Sequence, residues 1–135
     1  PVVLISGGVG ATPMIAMLDP LLQQGSSREI RFIHACRHGG THAFKAHVAH
    51  LAAEYPNLRA AVYYEHPRAQ DRMGVDHDHA GRINLPALGE LFLLPEADYY
   101  LCGPLPFMQT QAQSLQSLGV PMDRIHMEVF GTGGV

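Results

Sequence analysis

The sequence predicts an α/β fold, a single doubly wound, five-stranded parallel sheet with helices on both faces. Three observations carry this. Five short apolar runs are bounded by polar or turn residues, amphipathic helical patterns separate most of them, and two of the runs end in glycine where a helix then begins. Runs that are apolar on both faces belong to strands covered by helices on either side, and strand–helix alternation joins parallel neighbours.

The first run, VVLIS (2–6), breaks at Gly7-Gly8-Val9-Gly10, and Pro13 to Gln24 then places Met14, Met17, Leu18 and Leu21 on one helical face. Thr12 is expected as N-cap and Pro13 as the first helical residue, where a missing amide is harmless. EIRFIHA (29–35) forms the second strand, and a helix from His42 to Tyr55 turns Phe44, Val48, Leu51 and Ala52 inward. RAAVYYE (59–65) is the third strand. His66 to Arg82 is polar, charged and without period, and reads as a mobile surface loop; a short helix near Leu85 to Phe92 follows. ADYYLCG (97–103), a helix from Pro104 to Leu118 and IHMEVF (125–130) complete the pattern, and the final GTGGV reads as a flexible tail.

At 135 residues and 47% hydrophobic content the chain can bury one core, so residues 1–135 are expected to form a single domain. A net charge of -3 offers no basic surplus, and neither nucleic acid nor a membrane surface is expected as partner. No apolar stretch approaches the roughly 18 residues of a membrane span, and Pro1-Val2-Val3-Leu4 lacks the basic start of a signal peptide. Cys36 and Cys102 lie far apart without C-x-x-C spacing, which fits a reducing cytoplasm. A chain that opens at Pro1 directly on a core strand is expected to be a segment of a longer polypeptide. Neither G-x-S-x-G nor G-x-x-x-x-G-K-[ST] occurs, so hydrolase and nucleotide-triphosphatase chemistry find no support.

Three loops carry chemistry. Gly8-Val9-Gly10-Ala11-Thr12-Pro13 combines close backbone approach with a helix start, a ready place for a pyrophosphate; the competing reading is a well-capped turn without a ligand. The usual dinucleotide fingerprint also wants a third glycine and an acid closing the second strand. Here Pro13 replaces that glycine and the strand closes on His34-Ala35-Cys36-Arg37, so a plain Rossmann dehydrogenase is a poor match. Cys102-Gly103-Pro104 ends another strand. In a sheet whose order reverses beside the first strand, both loops open on one crevice. Cys102 suits packing beside a flat ring, or is simply core. The last strand ends in Glu128-Val129-Phe130-Gly131. There Phe130 could cover a planar cofactor or pack in the core, and Glu128 could be a proton or charge partner or a solvated edge residue.

Nine histidines raise a metal hypothesis, above all at Asp76-His77-Asp78-His79, but no second ligand pair at helical spacing accompanies that cluster, and a metal is not expected. His34 reads as a structural histidine; the role of His42, helix cap or loop support, stays open.

SGGVGATPM, CGP and MEVFG, in this order and spacing, resemble the Rossmann-like NAD(P)-binding domain of the ferredoxin-NADP reductase superfamily. FIHACRHGGTHAF, YYLCGPLPFM and IHMEVFG bring the likeness closer to the C-terminal reductase domain of bacterial flavohemoglobins, the nitric oxide dioxygenases, over essentially the whole chain. The resemblance implies partners in the same polypeptide: a globin with heme b and a barrel with FAD. It implies NAD(P)H along Gly8 to Pro13 with its nicotinamide near Cys102, Gly103 and Pro104, hydride passing to FAD, and electrons passing to heme, where nitric oxide is oxidised to nitrate. Cys102 and Glu128 would act at the reacting end, and Val129, Phe130, Gly131 and Thr132 would reach the flavin. Glu65, where NADP-dependent members often carry Arg, implies that NADH is favoured, although Arg68 or Arg72 could receive a 2′-phosphate. Without flavin and heme domains, these residues alone are expected to bind nucleotide weakly and to be inactive. The alternatives are the NADH-binding domain of an oxygenase reductase component or another flavin reductase, and a non-catalytic binding domain of the same fold.

Overall fold

A computed structural model describes residues 1–24 and 27–128. Six parallel strands, β1 (Val2–Gly7), β2 (Ile30–Cys36), β3 (Leu58–Tyr64), β4 (His79–Ala80), β5 (Asp98–Cys102) and β6 (Ile125–Glu128), form one sheet in the order β4-β3-β2-β1-β5-β6. The helices are α1 (Ala11–Gln23), α2 (Lys45–Glu54), α3 (Leu85–Leu88) and α4 (Leu105–Ser117). The doubly wound sheet is as expected, with one strand more than the five the sequence pattern gives. The added β4 is two residues long, too short to show a period, and pairs only with Tyr63 and Tyr64 at the sheet edge.

Alternate residues of each strand feed two separate cores. Val3, Ile5, Ile33, Ala35, Ala61, Tyr63, Tyr99 and Leu101 pack with Leu85 of α3 and Met108, Ala112 and Leu115 of α4. Val2, Leu4, Ile30, Phe32, Leu58 and Cys102 pack on the opposite face against α1 and α2. The period of two in a strand makes this division automatic, and it explains why β1 and β2 are buried at every position. In α1 the buried set is Met14, Ile15, Leu18 and Leu22, with Met17 and Leu21 half-buried beside it. Each fully buried aliphatic side chain contributes about 1.5–3 kcal/mol, so this stripe holds α1 to the sheet.

Three sequence expectations shift. The helix after β1 starts at Ala11, because Gly8–Gly10 form a 3-10 turn continuous with it; Gly10 is the N-cap, and Thr12 and Pro13 are its second and third residues. Pro13 still falls in the first turn, where no intrahelical acceptor awaits its amide. Phe44 lies outside α2 as its N-cap, in a left-handed conformation at φ 61°, and is exposed rather than inward-facing. Residues 66–82, expected to be a mobile surface loop, run as a strap along the edge of β3 and pair with it through β4. The Asp78 amide donates to the Val62 carbonyl (2.8 Å), the Val62 amide to the Asp78 carboxylate (2.8 Å), and the Gly81 amide to the Tyr64 carbonyl (2.9 Å). The expected tail, 131–135, lies outside the described residues.

Arg31 is a cation 4% exposed within β2. Its Nε donates to the Leu91 carbonyl (2.6 Å), Nη1 to the Ile30 carbonyl (3.0 Å) and Nη2 to the Glu29 carboxylate (2.7 Å). It thereby ties the turn after α3 to the sheet. Charge-assisted bonds of this kind are worth about 1.5–3 kcal/mol each, and their loss leaves the Leu91 carbonyl short of a donor. Arg31→Met is expected to lower stability by about 2 kcal/mol, read as a lower midpoint in urea at unchanged slope.

Candidate nucleotide-binding crevice

β1 lies between β2 and β5, so the connection from β1 runs to one side and the chain returns on the other, and the carboxyl ends of β1 and β5 flank a crevice. Gly8 (φ 55°) takes a conformation that side chains disfavour, and nothing lies within 4 Å of where a Cβ would stand. At Gly10 the opposite holds. A Cβ there would sit 2.2 Å from the Cys102 carbonyl oxygen and 2.8 Å from the Gly103 nitrogen. The two glycine-rich loops are therefore in backbone contact.

Phe107, in the first turns of α4, packs under both loops. A Cβ on Gly7 would meet its ring at 3.0 Å, and one on Gly103 (φ 156°) would meet it at 2.8 Å. Sequence reading assigned no role to Gly7 or Phe107; the signal was the spacing of Phe107 four residues after Gly103, one helical turn into α4. Val9 (64% exposed), in the turn after β1, and Leu105 (57%), the first residue of α4, are exposed apolar groups beside the two loops in sequence. No side chain caps the start of α1, and Ala11 is buried while Thr12 is exposed. An open approach at Gly8 and an uncapped helix start fit a phosphate-bearing ligand.

The other expected residues fall as follows. Cys102 is wholly buried in the core on the α1 face, one of the two placements left open for it. Pro104 is exposed at the N-cap of α4. Glu65 follows β3, with its amide donating to the Cys36 carbonyl (2.9 Å) and its carboxylate 3.8 Å from Arg82 Nε. Glu128 pairs through its backbone register with Cys102; Val129, Phe130, Gly131 and Thr132 lie outside the described residues. Arg68 is already engaged: it forms an ion pair with Asp71 (3.0 Å), whose side chain is buried and also accepts from the Gly39 amide (3.2 Å). The bonds from Arg68 hold the Asp71 carboxyl far below the usual carboxylate range.

Asp76, His77, Asp78 and His79 fan apart. Asp76 pairs with Lys45, Asp78 binds the β3 edge, His77 stacks on Tyr64 and His79 on Tyr63, each at 4.5 Å between ring centres. Among the described residues no three His, Cys, Asp or Glu side chains converge as metal ligands. Cys36 offers no nucleophile, since burial pushes its thiol up to about 11.

The oxidoreductase NAD-binding domain family matches residues 4–113. The chain belongs to that family. This NAD-binding domain is 59% identical, over all of its 135 residues, to the flavohemoprotein of Bordetella pertussis, of which it spans 34%. Among solved structures it resembles the flavohem-like FAD/NAD-binding domain of nitric oxide dioxygenase from Vibrio cholerae, with a TM-score of 0.81 and 42% identity, covering 97% of this chain and 51% of that one. It likewise resembles the flavohemoglobin of Malassezia yamatoensis with bound FAD and heme, with a TM-score of 0.81 and 30% identity over 97% of this chain and 32% of that one. The NAD-binding domain thus spans about a third of the length of the curated relatives it matches. No helix among the described residues is long and apolar enough to cross a membrane.

His34 supplies a stability prediction. It is 1% exposed, its Nδ1 shares a 2.7 Å hydrogen bond with Ser6 Oγ, and burial, followed by the neighbouring His42, lowers its pKa from 6.5 to about 4. Between those values the unfolded chain binds a proton that the folded chain does not. The contribution is fully present above about pH 6.5 and is lost as pH falls through about 4, on the order of 3 kcal/mol. Urea melts across that range are expected to show this loss, and His34→Gln to flatten it.

A backbone test addresses the loop contact. Gly10→Ala drives a methyl into the Cys102 carbonyl, so it is expected to destabilise the fold by about 1–3 kcal/mol and to weaken nucleotide binding. Thermal denaturation and NADH titration check the two effects.

Proposed function

We propose that this domain binds NAD(P)H and delivers hydride to an FAD held by a barrel domain of the same polypeptide, in a cytoplasmic flavohemoglobin that uses dioxygen at its globin heme to oxidise nitric oxide to nitrate. The observation that carries the reading is the backbone contact between Gly10 and Cys102–Gly103 beneath an open Gly8, in a chain 59% identical to a flavohemoprotein. Two solved relatives, a nitric oxide dioxygenase and a flavohemoglobin with FAD and heme, support the wider assignment.

In this reading Gly8, Val9, Gly10, Ala11, Thr12 and Pro13 receive the pyrophosphate through backbone amides and the α1 dipole. The nicotinamide lies near Cys102, Gly103 and Pro104, with Val9 and Leu105 excluding water from its face. When bound, the coenzyme supplies hydride chemistry, which needs donor and acceptor in near-attack geometry. Cys102 shapes the floor from within the core. Glu128 contributes charge at the reacting end, and Val129, Phe130, Gly131 and Thr132 extend toward the flavin. Separated from its flavin acceptor, the domain binds nucleotide weakly and turns nothing over.

The adenosine ribose lies toward the ends of β2 and β3, where Glu65 accepts from a free diol and repels a 2′-phosphate, so NADH is preferred. Glu65→Arg is expected to shift the ratio of kcat/KM for NADPH over NADH upward by about tenfold or more. Steady-state assays with both coenzymes measure it.

The wider assignment is tested by the absorbance of the full-length protein, oxidised and then treated with NADH. A Soret band beside flavin absorbance, both responding to NADH, is the expected outcome. Flavin alone moves the protein to an oxygenase reductase or another flavin reductase, and neither chromophore leaves a binding domain without redox chemistry.

A further inference from the structure

A chain of side chains, partly stacked and partly edge-to-face, crosses the sheet beside the crevice, and the function above leaves it unused. It begins at Ser6, the residue before the glycine turn, bonded to His34 Nδ1. The His34 ring stacks on Phe32 (6.1 Å) and His42 (5.7 Å); His42 Nδ1 shares a 2.6 Å hydrogen bond with Tyr64 Oη; Tyr64 stacks on His77 of the strap. His34 Nε2 and His77 Nδ1 are buried without a hydrogen-bond partner among the described residues. His42 is the link that belongs to neither strand nor strap. It sits in residues 37–44, which connect β2 to α2.

Beyond its own capped 3-10 turn, that connection is held where the Gly39 amide donates to Asp71, the Arg37 carbonyl accepts from the His66 amide (2.8 Å), the His38 carbonyl accepts from Cys36 Sγ (3.6 Å) and His42 clips onto Tyr64. It ends in Phe44, held left-handed without being glycine, a conformation that persists only while the surroundings enforce it. It also lies at the carboxyl end of β2, beside β1, on the side of the crevice where a dinucleotide extends its adenosine half.

We propose that the His34–His42–Tyr64 chain, stacked at its first step and hydrogen-bonded edge-to-face at its second, is a proton-sensitive latch on the coenzyme crevice, holding residues 37–44 in place while both imidazoles are neutral and releasing them when the pair takes up a proton. The inference rests on the coenzyme-binding reading above. The groups facing His42 are His34 from β2, Tyr64 from β3, Lys45 from α2, and Asp76 and Asp78 from the strap. Those facing His34 are Ser6 from β1 and His42 itself. Tyr64 is faced by Cys36, Arg68, Asp71, Asp76 and His77, and burial pushes its hydroxyl up to about 12, so it stays protonated throughout.

One of these neighbours, Lys45, opposes a charge on His42, and two, Asp76 and Asp78, favour it. The favourable pair is already committed, Asp76 to Lys45 and to the Arg72 amide, Asp78 to the Val62 amide. Burial and then Lys45 therefore keep His42 below its ordinary pKa. An imidazolium formed there faces Lys45 and the His34 ring, and it gains full solvation when the connection lifts from the sheet, a lift that also relaxes Phe44. A coenzyme that needs these residues in place then binds only the unprotonated form.

The test is stopped-flow reduction of the flavin in the full-length protein by NADH, which separates the coenzyme Kd from the limiting rate. Kd is expected to rise on acidification below about pH 6.5, approaching tenfold per pH unit once below the titration midpoint, while the limiting rate does not follow the step. His42→Phe keeps a ring against His34 and removes the first proton site; the step is expected to disappear above about pH 5. Tyr64→Phe keeps the stack on His77 but cuts the clip, and is expected to raise Kd at neutral pH while sparing the limiting rate. A Kd indifferent to pH, a step unchanged in His42→Phe, or a Kd unchanged in Tyr64→Phe overturns the latch. Failure of NADH to reduce the flavin at neutral pH overturns the coenzyme reading and the latch with it.

Discussion

The crevice depends on one steric constraint: Gly10 lies against the Cys102 carbonyl so closely that no side chain fits between them. Because the sheet is wound outward from β1 in both directions, the loops after β1 and β5 are the two that meet at its centre. Two loops with side chains would hold each other apart and leave a wide trough. With glycine at positions 7, 10 and 103, they close onto one another and onto the Phe107 ring, so a ligand meets backbone rather than a cleft between side chains. Gly8 then serves a different end, since its left-handed turn leaves open space where Gly10 leaves none.

The far edge of the sheet solves another problem. β3 would present a row of unpaired amides and carbonyls, an edge prone to pair with other chains. The strap covers it with a two-residue strand and the Asp78 carboxylate, and it is held by rings rather than by a regular ladder: His77 and His79 stack on the adjacent residues Tyr64 and Tyr63. Adjacent strand residues point to opposite faces, so the strap grips the sheet from both sides.

This difference in cause sets what the sequence could show. Strands buried on both faces announce themselves as apolar runs, and α1 and α4 as stripes, because many residues repeat the same message. The glycine loops were readable for a similar reason, each glycine reflecting a backbone requirement. The strap was not, since its order comes from single tertiary contacts: one carboxylate on one amide, one ring on another. The Asp-His-Asp-His alternation falls in a turn, a single bridge and a bend that lead into β4, so it marked no regular element, and its ring partners, Tyr63-Tyr64, lay on a strand already explained by burial. The start of α1 was misplaced because the 3-10 turn winds into the helix without a capping side chain, so the residue types that mark a start, Thr12 and Pro13, sit within its first turn rather than at its edge. Phe44 reads as an inward helical residue by spacing alone, and only its positive φ removes it from the helix.

The charges around the crevice complete the argument. Arg68 is neutralised by Asp71, Lys45 by Asp76, and Arg82 approaches Glu65, while His34 is kept neutral by burial. Lys45 and Arg68 are thus spent on holding the strap and the residue 37–44 connection in place. Attraction for the anionic middle of a dinucleotide falls to the backbone amides at the start of α1, whose direction is fixed by the fold and whose strength fades within about one helical turn. A site built this way selects by geometry more than by charge. It follows that the position of residues 37–44 is worth controlling, because where side-chain cations do not pull the ligand in, the shape of the surrounding wall decides whether it stays.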